Sequence, residues 1–167
     1  MSAGCPLPAW PGKVTVAHPS KGEMVFGERR WRAFWAHVEP APGPCWWWSG
    51  HRGEQGYGRW FTTKANRSVA FAAHRLAYQL VVGPIPDGLT LDHLCRNRAC
   101  VRPGDLEPVT GGVNTLRGDG ATARNAAKTH CINGHEFDAA NTYRRANRRG
   151  CRACARDRRR RTRAAAA

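Results

Sequence analysis

The sequence has little that could build a large apolar interior or cross a membrane. No run of about 18 apolar residues occurs among the 167, which excludes a transmembrane helix. Acids are scarce as well, 12 against 27 lysines and arginines, for a formal net charge of +15. A field of that sign draws polyanions, nucleic acid above all. The opening stretch MSAGCPLPAWPGK lacks the charged and apolar regions of a secretory leader, so a reduced, cytoplasmic setting is expected. In that setting closely spaced cysteines serve as metal ligands rather than bridges. The length suits one ordinary domain or two very small ones, and neither buries a large core. Something else must stiffen the chain.

The candidate is present: 7 cysteines and 7 histidines, gathered in short clusters. Cys95 and Cys100 enclose a four-residue loop, RNRA, which lets two thiolates converge on one tetrahedral ion. Cys45 is the natural third ligand, and Asp105 stands where a fourth is expected, carboxylate being a less common structural zinc ligand. The second cluster is Cys131-x3-His135, then Cys151-x2-Cys154 after a 15-residue gap, the arrangement of a small zinc ribbon or knuckle. His130 is the alternative to His135, and Cys5 has no assignment. About two structural Zn²⁺ ions per chain are expected.

The positive charge is concentrated at one end. From Arg144 to Arg163 there are 11 arginines and a single acid, Asp157, about two-thirds of the net charge. Arg144, Arg145, Arg148, Arg149, Arg158, Arg159 and Arg160 are therefore expected to contact DNA phosphates without reading sequence.

Residues 1–26, rich in Pro, Gly and Ser without apolar periodicity, read as a flexible arm. From Glu28 the segment ERRWRAFWAHV places Trp31, Phe34, Trp35 and Val38 at helical spacing, and PAPGP breaks that helix. The aromatic run Cys45 to Trp48 and the following HRGEQGYGRW, with glycines flanking Tyr57, predict a β-hairpin or small sheet around residues 45–71. SVAFAAHRLAYQLVVG puts Val69, Ala72, Ala73, Leu76 and Leu80 on one helical face, stopped by Gly83-Pro84. His74 within it is expected to be packed and hydrogen-bonded rather than to touch DNA. After a turn at Pro86-Asp87-Gly88, Leu89 to Leu94 reads as a strand carrying Asp92 and His93, and Leu106 to Val109 can pair with it. Thr110 caps a helix from Gly111 to Leu116, with Asn114 about one turn in.

At Asp92-His93-Leu94-Cys95, followed by Asn114, the sequence resembles the HNH (His-Me finger) endonucleases, specifically the zinc-containing group related to the His-Cys box homing endonucleases and often encoded by phages. The resemblance is carried by FWAHV, CWWWSG, GYGRW, AHRLAYQLVVGPIPDGL, LDHLCRNRACVRPGDLEPVT, NTLRGDG and CINGHEF…CRAC, from about Phe34 to Ala155. It implies an α+β fold: a small β-sheet, a ββα-metal core with structural zinc, and a basic C-terminal zinc ribbon. The expected division is a flexible arm over 1–26, a zinc-stabilised nuclease domain over 27–120, and the ribbon and tail over 121–163. In the family a histidine on the first strand and an asparagine on the helix do the chemistry, and His93 and Asn114 match them. Cys45, Cys95 and Cys100 match the family's zinc ligands, whereas Asp105 replaces the usual histidine.

The chemistry fits those residue types. Hydrolysis of an anionic phosphodiester needs a base for water and a cation to neutralise charge at phosphorus. Histidine, with an unperturbed pKa near 6.5, is a base at cellular pH. A divalent ion held by Asn114, with Asp92 next to His93 as a further ligand, suits Mg²⁺, which keeps few protein oxygens, with Mn²⁺ as a substitute. The family also requires an arginine on the scissile phosphate, either Arg59 or Arg67, while Arg75 would hold a flanking phosphate. The resemblance implies 5′-phosphate and 3′-hydroxyl products. Cleavage of both strands by one small site would call for a homodimer. The rival reading is a non-catalytic zinc-containing DNA-binding protein in which His93 and Asn114 are structural.

Overall fold

The computed structural model describes residues 7–41, 43–146 and 148–166, and Cys5 lies outside them. The chain divides into two compact units between Asn114 and Thr115. The first holds strands β1 (Val14–His18) and β2 (Gly22–Phe26), helix α1 (Glu28–Trp35), strands β3 (Val38–Pro40), β4 (Trp46–Trp48), β5 (Arg59–Lys64) and β6 (Arg67–Ala72), and helix α2 (Ala73–Val81). Strand β7 (Leu89–His93), a 3₁₀ turn (Pro103–Asp105) and strand β8 (Leu106–Thr110) follow, leading into α3 (Gly111–Arg117). The second unit contains α4 (Ala121–Ala127), strands β9 (Thr142–Arg145) and β10 (Arg148–Cys151), and α5 (Arg152–Ala164).

Among the described residues each strand pairs with one neighbour, so the small sheet expected from the sequence is five separate two-stranded antiparallel ladders. Within the stretch 1–26 expected to be a flexible arm, Val14 to Phe26 instead form the β1–β2 hairpin, with Val16 opposite Met24 and Val14 opposite Phe26. Val16, Met24 and Phe26 are buried, and Gly22, at φ +64, permits the turn. Trp31, Phe34 and Trp35 of α1 pack on that hairpin's side chains in one cluster with Trp48, Trp60, Phe71 and Leu76. The helix expected over the SVAFAAHRL segment starts only at Ala73. Ser68 to Ala72 belong to β6, where alternating Val69 and Phe71 face the core and pair with Thr62 and Trp60. Its turn, Ala65-Asn66, has φ values of 47 and 59, the left-handed pair of a tight hairpin. The tryptophan run pairs backward with β3, Trp48 opposite Val38, rather than forward into a hairpin with residues beyond Tyr57.

The β7–β8 ladder sets His93 opposite Leu106 and Asp92 opposite Glu107. The Thr110 hydroxyl accepts from the Val113 N–H at 3.3 Å, so the expected cap starts α3. Among the described residues no helix is long and apolar enough to cross a membrane.

Candidate active site and metal centres

The first Cys cluster is assembled by backbone pairing. Val101 N–H donates to the Trp46 carbonyl at 2.9 Å and Trp48 N–H to the Ala99 carbonyl at 3.0 Å, so residues 99–101 run along β4. That pairing carries Cys45, just before β4, to Cys100. Cys95 comes from the loop after β7 and Asp105 from the 3₁₀ turn, and one donor atom from each of the four lies within 4.8 Å of the others. Asp105 Oδ2 is 3.5 Å from the Cys100 sulfur, while its Oδ1 accepts from Arg102 at 3.3 Å. Zinc–sulfur bonds of about 2.3 Å in a tetrahedron separate sulfurs by about 3.8 Å, so this set could hold a zinc ion. Burial pushes the Cys45 and Cys100 thiols up, the opposite of what a bound cation would do.

The second cluster lies wholly in the second unit. Cys131 Sγ is 3.6 Å from Cys154 Sγ and 3.5 Å from His135 Nδ1, and His135 Nδ1 is 3.3 Å from Cys154 Sγ, close to the edges of a zinc tetrahedron. Cys151 completes it. Partial desolvation opposes ionisation of Cys131, but hydrogen bonds from Asn133, His135 and Cys154 outweigh it and bring the thiol down to about 6, favouring the thiolate a metal needs. His130 stands outside the cluster with its Nδ1 2.9 Å from the Thr129 hydroxyl.

His93 ends β7 and is 6% exposed. Its Nε2 lies 3.1 Å from the Cys100 carbonyl, and because a carbonyl only accepts, Nε2 carries the proton and Nδ1 the lone pair. Burial lowers the pKa of His93 despite the opposing hydrogen bond and the neighbouring Asp92 and Asp105 carboxylates. Its ring meets His74 at 4.8 Å and Tyr57 at 5.7 Å. Those two side chains in turn wall a cavity of about 350 Å³ that also holds Asn114 and Arg59. Asp92, 2% exposed, accepts from Arg96 at 2.8 Å.

His74 is packed, as the apolar helix predicts, but the expected hydrogen bond is missing: its buried Nδ1 has no partner. Burial, then the His93 and Arg75 neighbours, lower its pKa to about 3, so it is neutral. The sequence carried no signal for its contact with His93, because that contact depends on how α2 and β7 pack.

Of the two arginines considered for the scissile phosphate, Arg59 lines the cavity with Asn114. Arg67 sits at the turn end of the same hairpin, opposite Lys64, whereas Arg59 is opposite Ala72. Five residues of strand, about 17 Å, separate the two ends, and this takes Arg67 away from the cavity. Arg75 is half-buried on α2. In the second unit Arg144 and Arg145 face Arg149 and Arg148 across the β9–β10 ladder, a juxtaposition of like charges that is unfavourable without a polyanion. Arg158, Arg159 and Arg160 lie on α5, which fully buries no residue and is anchored at its first turn, where Asn141 Oδ1 accepts from the Ala153 N–H at 2.9 Å and Cys151 Sγ from the Cys154 N–H at 3.4 Å.

Residues 71–115 match the HNH endonuclease family. Over 58 residues the chain is 37% identical to the "Uncharacterized gene 5.3 protein" of Enterobacteria phage T3, an overlap that covers 34% of this chain and 57% of that protein. The chain thus spans little more than half the length of the curated relative it matches. No solved structure matches it. The family match takes in Asp92, His93, Cys95, Cys100, Asp105 and Asn114, and leaves Cys45, Arg59 and the second Cys cluster outside. The segment similar to the HNH endonucleases runs from the end of β6 through α2, β7 and β8 to the first turn of α3.

Proposed function

We propose that this protein is a phage-type endonuclease that hydrolyses DNA phosphodiester bonds with His93 as general base and a divalent ion held by Asn114. The observation that carries the reading is the Cys100 carbonyl on His93 Nε2, which leaves Nδ1 as the basic nitrogen of a ring packed against His74 and Tyr57, two walls of the cavity lined by Asn114 and Arg59. His93 Nδ1 takes a proton from water, the water oxygen bonds to phosphorus, and the bond from phosphorus to the 3′ oxygen breaks, that oxygen taking a proton from solvent, to leave a 5′-phosphate and a 3′-hydroxyl. Arg59 grips the scissile phosphate. A bound Mg²⁺ would neutralise charge on the phosphate and on the departing 3′ oxygen. Asn114 would supply a neutral oxygen to it and Asp92 a carboxylate, which accepts from Arg96. Zn²⁺ in the two Cys clusters is structural, and Arg75 with the arginines of β9, β10 and α5 holds flanking phosphates.

The test is a plasmid-nicking assay with and without Mg²⁺. His93→Ala is expected to cut on the order of 10²–10⁴-fold more slowly while still binding DNA. Asn114→Ala is expected to lose activity and regain part of it at higher Mg²⁺ or with Mn²⁺. The parent rate rises with pH as His93 loses its proton and levels off once it is neutral; because burial lowers this pKa, half of the rise falls below about 6.5. A His93→Ala protein with intact zinc that cuts as fast as the parent would overturn His93 as the base, and a parent with intact zinc that binds DNA but cuts none of it with Mg²⁺ would make the chain a DNA-binding protein without catalysis.

A further inference from the structure

The second unit contains a groove that neither the HNH segment nor the zinc ligands account for. It encloses about 730 Å³ and is bordered by Lys128, Ile132, Phe137, Arg144, Arg148 and Arg149. No carboxylate lines it among the described residues. Ile132, between Cys131 and His135, is 100% exposed, the most exposed large apolar side chain among the described residues. The Arg149 guanidinium lies 4.0 Å from the Phe137 ring centroid and donates to the Asn125 carbonyl, so it is held in place before any ligand arrives.

These features do not suit one phosphate or a duplex backbone. Phosphates need cations only, and a duplex hides the faces of its bases. An apolar tip and a fixed aromatic–guanidinium pair inside a ring of cations offer two things together, a surface for a base face and charge for the phosphates on either side. We propose that this groove binds an unpaired nucleotide of single-stranded DNA, its base packed on Ile132 and the Phe137–Arg149 pair and its flanking phosphates on Lys128, Arg144 and Arg148. The inference deepens the nuclease reading and rests on it: the second unit would direct the enzyme to DNA with an opened or frayed strand.

The test uses the full chain carrying His93→Ala, so that DNA is bound but not cut, in fluorescence anisotropy with an oligo(dT) single strand and with a duplex of equal length. Ile132→Ser is expected to weaken single-strand binding about 5- to 30-fold, the lower part of the range for losing one base contact, and to leave duplex binding within about twofold. The slope of affinity against salt should stay the same, because no charge has been removed. Arg149→Lys keeps the charge but not the planar stacking surface, and is likewise expected to weaken single-strand binding at constant salt slope. Zinc content equal to the parent's confirms that the knuckle is intact in each variant. Single-strand affinity unmoved by both substitutions, or duplex affinity falling in step with it after Ile132→Ser, overturns the groove while leaving the nuclease untouched. Failure of the full chain to bind either DNA overturns both readings.

Discussion

Gly58 stands where the core meets the cavity, and replacing it with alanine should damage both. A Cβ built there would lie 2.6 Å from Trp48 Cδ1 and 2.9 Å from the Ala73 Cβ. Neither neighbour can yield easily. Trp48 is 1% exposed, packs against Phe34 at 5.1 Å and donates from its indole N–H to the His51 carbonyl at 3.0 Å. Ala73 is fully buried at the start of α2, and its N–H donates to the Gly58 carbonyl at 2.8 Å. Overpacking of this kind costs about 1–3 kcal/mol. In a unit of about 100 residues that lowers the melting temperature by about 5–20 °C. Gly112 is the control, since it lies in α3 with nothing within 4 Å of a new Cβ. Gly112→Ala should instead stabilise by about 0.5–1 kcal/mol, the helical preference for alanine over glycine. Thermal unfolding followed by near-ultraviolet circular dichroism, which seven tryptophans make sensitive, reads both. A Gly58→Ala protein that melts at or above Gly112→Ala would refute the packing argument.

Three further outcomes follow from the same contacts. Elemental analysis should give about two zinc ions per chain and about one after Cys154→Ser; Asp105→His should retain the first zinc at least as well as the parent, and Asp105→Ala should hold it more weakly. Removing the residues after Ala155 takes six arginines and one acid from the end of the chain; DNA affinity should drop and depend less steeply on salt, and an unchanged slope would show that α5 does not touch phosphate. His74 has a folded pKa depressed to about 3 against about 6.5 unfolded. Its contribution to stability is therefore complete above pH 6.5 and drains away as pH falls toward 3, so His74→Gln should flatten the acid side of a urea-midpoint profile.

Much of the site was legible in the sequence because metal ligands declare themselves by spacing. Cys95, Cys100 and the Cys151-x2-Cys154 pair need only short loops to converge, and those loops are fixed by the chain itself. Cys45 and Asp105 could be added because zinc wants four ligands. The β1–β2 hairpin was hidden by the composition of its flanks, although Val14, Val16, Met24 and Phe26 alternate as strand residues should, around a glycine turn. The junction at Ala72-Ala73 misled for a different reason. Val69, Ala72, Ala73 and Leu76 fit a helical period as well as a strand followed by a helix, and alanine favours neither side strongly enough to place the boundary. The choice between Arg59 and Arg67 depended on hairpin register, which the sequence could not supply until the Ala65-Asn66 turn fixed it.

The placement of the first Cys cluster follows from what the core does not reach. The large hydrophobic cluster gathers β1, β2, α1, the tryptophan run, the β5–β6 hairpin and α2, but takes nothing from β7 or β8. The buried Leu91, Leu106 and Val109 of that ladder lie outside it. A strand that must hold an imidazole in one orientation therefore sits on a hairpin with little packing of its own. Cys100 closes that gap from two directions. Its sulfur belongs to the four-donor cluster together with Cys45 at the edge of the tryptophan strand, while its carbonyl accepts from His93. Val101, its neighbour, is in the core cluster. One ion bound by those four ligands would thus fasten the hairpin to the core and, through a single peptide group, set which nitrogen of His93 is basic. On the proposed reading, that one ion would hold the base in place, and the cysteines close behind the histidine in the sequence would serve its orientation as well as the fold.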